Sequence, residues 1–203
     1  MPHPAKHPDL HGNVPDQSAV ALLMIDVLNA LDFEGSEDLA PRALEVGRRL
    51  AAFKERASEA GVPVIYVNDN AERWRSDVDR VIRNATREDA PGAELSRRLV
   101  PGPLDYVVLK PKHSGFYATP LDTLLTYLRT ERLILTGLTA ERCVLFTAND
   151  AFLRDYELFV PPDCTAAIDD GDYAAALRIL ERVLGAKTAP SHELDLEALK
   201  SYR

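Results

Sequence analysis

The sequence predicts an α/β protein: a doubly wound, mostly parallel sheet of six strands with helices on both faces. Three observations carry this. Short apolar runs without polar alternation recur along the chain, as strands buried on both faces require. Stretches with helical spacing separate them, and this βαβα order demands right-handed crossovers. The 203 residues, 46% of them apolar, suffice for one sizeable core.

The first strand is Ala19 to Ile25, AVALLMI, closed by Asp26. A helix is predicted from Glu37 to Ala60, with Leu39, Leu44, Val46, Leu50, Ala51 and Phe53 as its inner stripe and Gly61 as its stop. Val62 to Val67 reads as the second strand. The pattern then turns polar, with a helical stretch from Asp77 to Asn84. Tyr106 to Leu109 is the third strand and Pro120 to Arg129 a helix. Leu133 to Thr136 is the fourth strand, ended by Gly137. A helical period follows in which Val144, Phe146, Thr147, Ala148, Ala151 and Phe152 recur, so Cys143 falls in the first helical turn. Leu158 to Val160, a helix over Tyr173 to Val183 and a short sixth strand at Ala186 to Thr188 complete the order.

Composition excludes several classes of function. A net charge of -8 and the lack of a basic stretch oppose nucleic-acid binding. No apolar run approaches the ~20 residues that span a bilayer. With two cysteines, Cys143 and Cys164, no disulfide framework is expected. Residues 1–18 hold His3, His7 and His11 but no apolar signal core, so they read as an arm preceding a single domain over 19–203, and the expected location is cytoplasmic. The histidines match no closed zinc site. After the first strand, DVLNALDFEG contains no GxGxxG and no Walker lysine, which disfavours a nucleotide enzyme.

Asp26, Lys110 and Cys143 stand at comparable points of this topology, at or just beyond the carboxyl ends of the first, third and fourth strands, where open parallel sheets bind ligands. A thiol at a helix N-terminus is expected to have a lowered pKa. A neighbouring carboxylate can take its proton, and a lysine can steady both anions. Singly, each residue has a plain explanation as a cap, a strand end or a buried small side chain.

ALLMIDVLNALDF, VVLKPKHSGFYATPLDTLL and LILTGLTAERCVLFTANDAFLRDYELFVPPDCTAA resemble the three signature blocks of the isochorismatase-like cysteine hydrolases, over about Ala19 to Ala167. The resemblance implies a catalytic Asp26-Lys110-Cys143 triad and a cis peptide at Leu138-Thr139. It also implies an oxyanion hole made by the backbone amides of Thr139 and Cys143. Acyl transfer through a thioester follows, with no cofactor and a small-molecule substrate, in a homodimer or homotetramer. The nicotinamidase branch carries histidines around a metal after the second strand. Here that loop reads VNDNAERWRSD, without histidine, so no metal is expected. The isochorismate-cleaving branch dispenses with the cysteine, so Cys143 points to a small amide, lactam or ureide. Hydrolysis of an ester or enol ether, and a non-catalytic binding protein, remain as alternatives. Phe33, Trp74, Phe116 and Tyr117 are the expected pocket walls, while Arg73 and Arg75 are weaker candidates for a substrate carboxylate.

Overall fold

The structure is a computed structural model that describes residues 17–70 and 75–202. The arm up to position 16, with its three histidines, and the pocket candidates Arg73 and Trp74 lie outside the described residues.

The strands are β1 (Val20–Ile25), β2 (Val64–Asp69), β3 (Tyr106–Lys110), β4 (Arg132–Leu138), β5 (Glu157–Phe159) and β6 (Thr165–Ala166). They form a six-stranded sheet in the order β3-β2-β1-β4-β5, with β6 alongside the end of β4 and every pairing parallel. The helices are α1 (Ser36–Glu59), α2 (Val78–Thr86), α3 (Ala93–Arg98), α4 (Leu121–Leu128), α5 (Leu145–Phe152), α6 (Asp170–Arg182) and α7 (Leu196–Lys200).

The central strand shows why its sequence lacks alternation. Val20, Leu22 and Met24 pack towards one face with Leu39, Val46, Leu50 and Phe53 of α1. Ala21, Leu23 and Ile25 pack towards the other, with Leu125 of α4, Ala148 of α5 and Leu180 of α6. Each such fully buried Leu or Ile contributes roughly 1.5–3 kcal/mol, so both helical layers add to the stability of the sheet between them. Local signals fix the helix ends. Gly61 takes the left-handed conformation, φ 67°, just beyond α1. The side chain of Asp77 accepts from the Arg80 amide at 2.8 Å to start α2, and Asp169 caps α6 in the same way.

At the amino end of the sheet, the buried Arg132 closes the core. Its guanidinium pairs with Glu157 at 3.1 Å and donates to the carbonyls of Leu199 and Ser201 at 2.9 and 2.7 Å.

Several expectations are corrected. Gly137 does not end β4: the strand runs on to Leu138, because Gly137 at φ 107° brings its backbone so close to β1 that a Cβ would stand 2.0 Å from the Ile25 carbonyl oxygen. The sixth strand is Thr165–Ala166, paired with Gly137 and Leu138. Ala186 to Thr188 supplies only a single bridge, between Lys187 and Phe159. The segment after β4 begins as a π-helical turn, Ala140–Val144, before α5. Phe146 and Phe152, read as part of the helical period after Cys143, are exposed.

Candidate active site

Asp26, Lys110 and Cys143 converge at the carboxyl edge of the sheet. Strand three is not a neighbour of strand one, since β2 lies between them. The long side chain of Lys110 bridges that gap: its Nζ lies 2.7 Å from Asp26 Oδ2 and 3.4 Å from Cys143 Sγ. Lys110 is 0% exposed. The Asp26 carboxylate and the Cys143 thiol also influence each other electrostatically. Lys110 is thus the group in contact with both of the others.

The backbone that presents these groups is specific. Asp26 adopts a left-handed conformation, φ 50°, which turns its carboxylate back over the sheet edge. There its Oδ1 accepts from the Asp69 amide at 2.6 Å. The buried Asn68 clamps the following turn, accepting from the Leu28 amide and donating to the Leu28 carbonyl, both at 3.0 Å. The peptide between Leu138 and Thr139 is cis. In the π turn the amide of Val144 donates to the Thr139 carbonyl at 3.2 Å, the wide i→i+5 bond that places Cys143 on the inner side of the bend. Thr147 ties this turn to the segment after β3, because its hydroxyl donates to the Cys143 carbonyl at 2.6 Å and accepts from the Gly115 amide at 3.0 Å. Ser114, next to Gly115, donates to the Asp150 carboxylate.

Burial sets the electrostatics. Desolvation raises the Asp26 carboxyl above its ordinary value, against the opposing pull of Lys110, the Cys143 thiol and the Asp69 amide. Burial alone would lower Lys110, but Asp26 and Cys143 together outweigh it and hold the ammonium charged. The expectation of a depressed cysteine pKa is overturned. Burial first, and the Asp26 carboxylate second, push the thiol up to about 12, with Lys110 only partly compensating. Cys143 thus rests as a thiol beside a carboxylate. The desolvation of the sulfur outweighs what the start of a helix can contribute.

A cleft of about 230 Å³ opens beside Asp26, lined among others by Asn29, Phe33, Asn68, Asp69 and Asn84. Phe33 is thus at the cleft. Phe116 does not line this cleft: it is buried in the core among Leu121 and Val144, with the Arg154 guanidinium 4.7 Å from its ring centroid. Tyr117 is exposed and lies outside this cleft. Arg75, the described member of the arginine pair, is exposed, and its carbonyl accepts from Arg80. Among the described residues no group of three or more potential ligands is arranged to hold a metal ion.

Three further residues stand near the site. Asp69 faces Lys110 across the β2–β3 register, with its carboxylate 3.9 Å from Nζ. His113 places Nδ1 3.6 Å from Cys143 Sγ. Phe146 packs against the His113 ring with centroids 5.4 Å apart.

A three-layer fold in which a buried ammonium contacts both a carboxylate and a thiol at the carboxyl edge of the sheet defines an α/β enzyme with the means for nucleophilic chemistry. The chain belongs to the isochorismatase family of hydrolases, whose domain matches residues 20–191. The isochorismatase family protein YaaI of Bacillus subtilis is 37% identical over 174 residues, which cover 86% of this chain and 95% of that one. The ureidoacrylate amidohydrolase RutB of Methylobacterium radiotolerans is 28% identical over 202 residues, covering 84% and 76%. The solved structure of N-carbamoylsarcosine amidase from Thermoplasma acidophilum superposes with a TM-score of 0.67 at 29% identity, over 87% of this chain and 98% of that one. Among the described residues no helix is long and apolar enough to cross a membrane.

Proposed function

We propose that this protein is a cysteine hydrolase that cleaves a C–N bond of a small amide, lactam or ureide through a thioester. The observation that carries the reading is the buried Lys110 ammonium in simultaneous contact with Asp26 and Cys143. A lysine is fully buried only where partners compensate its charge. Here the partners are a carboxylate and a sulfur, the two groups that exchange a proton in nucleophilic attack. The names of two relatives, an amidohydrolase and an amidase, point the same way.

In this mechanism the Cys143 thiol gives its proton to Asp26 as the sulfur attacks the substrate carbonyl carbon. The pair of electrons displaced onto the carbonyl oxygen is met by the backbone amides of Thr139 and Cys143. Collapse of this intermediate expels the amine, which takes the proton from Asp26. Asp26 then draws a proton from water for hydrolysis of the thioester. Lys110 stays charged throughout and favours whichever of its two neighbours is anionic. Burial raises the Asp26 carboxyl, which makes its carboxylate a stronger proton acceptor than an exposed aspartate. The same reading carries a single hydrolase domain over 19–203 and an assembly of two or four copies.

The test is amine or ammonia release from a panel of small amides, lactams and ureides, with intact-mass detection of an acyl adduct. Turnover with a transient adduct on Cys143, lost in Cys143→Ala, is the expected result. Full turnover by Cys143→Ala overturns the reading.

A further inference from the structure

We propose that His113 is a second N–H donor to the Cys143 sulfur, stabilising on its solvent side the thiolate that Lys110 stabilises from within. The inference rests on the reading of Cys143 as nucleophile and adds a catalytic residue to it.

Three observations converge on the imidazole. Its Nδ1 lies 3.6 Å from Cys143 Sγ, within the range of an N–H···S bond, while Lys110 Nζ approaches the same sulfur at 3.4 Å. The ring is held in place although His113 is exposed. It packs on Phe146, tilted by 55° with centroids 5.4 Å apart, and Phe146 lies three residues after Cys143, on the same side of the helical segment. The backbone on both sides of His113 is also fixed. Lys110 ends β3, and from position 114 onward Ser114 reaches Asp150 and the Gly115 amide reaches Thr147, whose hydroxyl in turn holds the Cys143 carbonyl. Sulfur and imidazole are thus presented by two segments tied together one residue away from the contact.

The electrostatic need is plain from the surroundings of the sulfur. A thiol pushed up by burial and by a neighbouring carboxylate gives up its proton only if the resulting anion is met by donors. In the Nδ1–H tautomer, His113 supplies one. During attack the S–H proton passes to Asp26 and the sulfur lone pair forms the bond to the carbonyl carbon, whose π electrons move to oxygen. His113 neither gains nor loses a proton, and its N–H···S contact strengthens as charge develops on sulfur.

Two variants separate donation from packing. His113→Phe keeps a ring against Phe146 and removes the donor. His113→Asn removes the ring and sets an amide N–H near the position of Nδ1. The readout is the second-order rate of alkylation by iodoacetamide, mapped to Cys143 by peptide mass, together with kcat/KM once a substrate is found. The expected result is a loss of about tenfold to a hundredfold for His113→Phe, the scale of a hydrogen bond to a charged group, with most of it recovered in His113→Asn. The opposite order overturns the proposal in favour of packing, and equal rates in the two variants, whether native or slow, overturn it as well. The alkylation readout needs no turnover. If Cys143→Ala keeps full activity, the proposed function falls while the effect of His113 on the sulfur is still decided.

Discussion

The two cysteines of this chain occupy parallel places in the sheet. Cys143 lies in the π turn after β4 and Cys164 ends the 3-10 turn after β5, one residue before β6. Both thiols are pushed up to about 12, and burial is the first cause in each. Yet only one has the surroundings of a nucleophile. Cys143 is partly exposed, touches an ammonium and an imidazole, and feels the Asp26 carboxylate that the same ammonium holds. Cys164 is fully buried in the layer of α1, and the nearby Asp163 carboxylate is bound to the amide and hydroxyl of Ser191 at 2.7 and 2.6 Å. A perturbed thiol therefore does not by itself mark chemistry. What distinguishes the two is a cation in contact with the sulfur and a carboxylate held by that cation, at a residue that is partly exposed.

Replacing the sulfurs one at a time tests this contrast most severely. Cys143→Ala is expected to lower kcat/KM by more than about 10³-fold, as loss of a covalent nucleophile does, whereas Cys164→Ala leaves kcat/KM within a few-fold. Assay of both variants on one substrate decides it, and comparable losses would erase the distinction.

Removing the cation comes next. Lys110→Met keeps the stem but strands the buried Asp26, and is expected to cost about 3–5 kcal/mol of stability at neutral pH, the scale of a broken buried ion pair. The sign of its pH dependence follows from linkage. With no ammonium beside it, the Asp26 carboxyl rises further, so the folded protein binds a proton that the unfolded chain, at about 3.8, releases. Stability of the variant therefore increases as the pH is lowered towards that value. Urea midpoints measured at neutral and mildly acidic pH check this, and a pH-independent deficit would contradict it.

A smaller effect concerns the rate profile of the native enzyme. Asp26 must be ionised to accept the thiol proton, and burial raises its carboxyl, so kcat/KM declines on acidification through a limb lying above the ordinary 3.8. Because the Cys143 thiol stands near 12, no additional rise is expected around the usual thiol value of 9.0. The smallest effect is on stability at the other cysteine. Cys164→Ala leaves a small void in the core and is expected to cost on the order of 1–2 kcal/mol, measured by thermal or urea denaturation.

The same contrast shows how far the chain could be read without coordinates. Strands β1 and β4 were legible because a central parallel strand needs uninterrupted apolar residues, and Asp26 and Lys110 because charge stops such runs abruptly. Strand β6 was not, since Thr165 and Ala166 have no pattern of their own. They become a strand only because β4 continues past Gly137 and offers them a partner. Helix α3 was hidden for a similar reason: Gly92 before it packs so tightly that a Cβ would fall 2.0 Å from the Asn29 carbonyl oxygen, a contact between segments far apart in sequence. At the site, residue identity and position relative to strand ends were readable, but ionisation was not. The sequence offered a helix start and hence an acidified thiol, whereas burial and the nearness of Asp26, both products of tertiary packing, reverse the direction. Phe116 followed the same rule, its place decided by the Arg154 and Leu121 that surround it.

The guanidinium of Arg132 gives the last turn of the polypeptide a task remote from the reacting groups. Because it grips the carbonyls of Leu199 and Ser201, shortening the chain to end before residue 199 would leave two of its N–H donors without these acceptors and Glu157 as its remaining partner under the floor of the sheet. Purification handles and surface-immobilisation tethers belong after that anchorage, with a spacer long enough to leave it undisturbed.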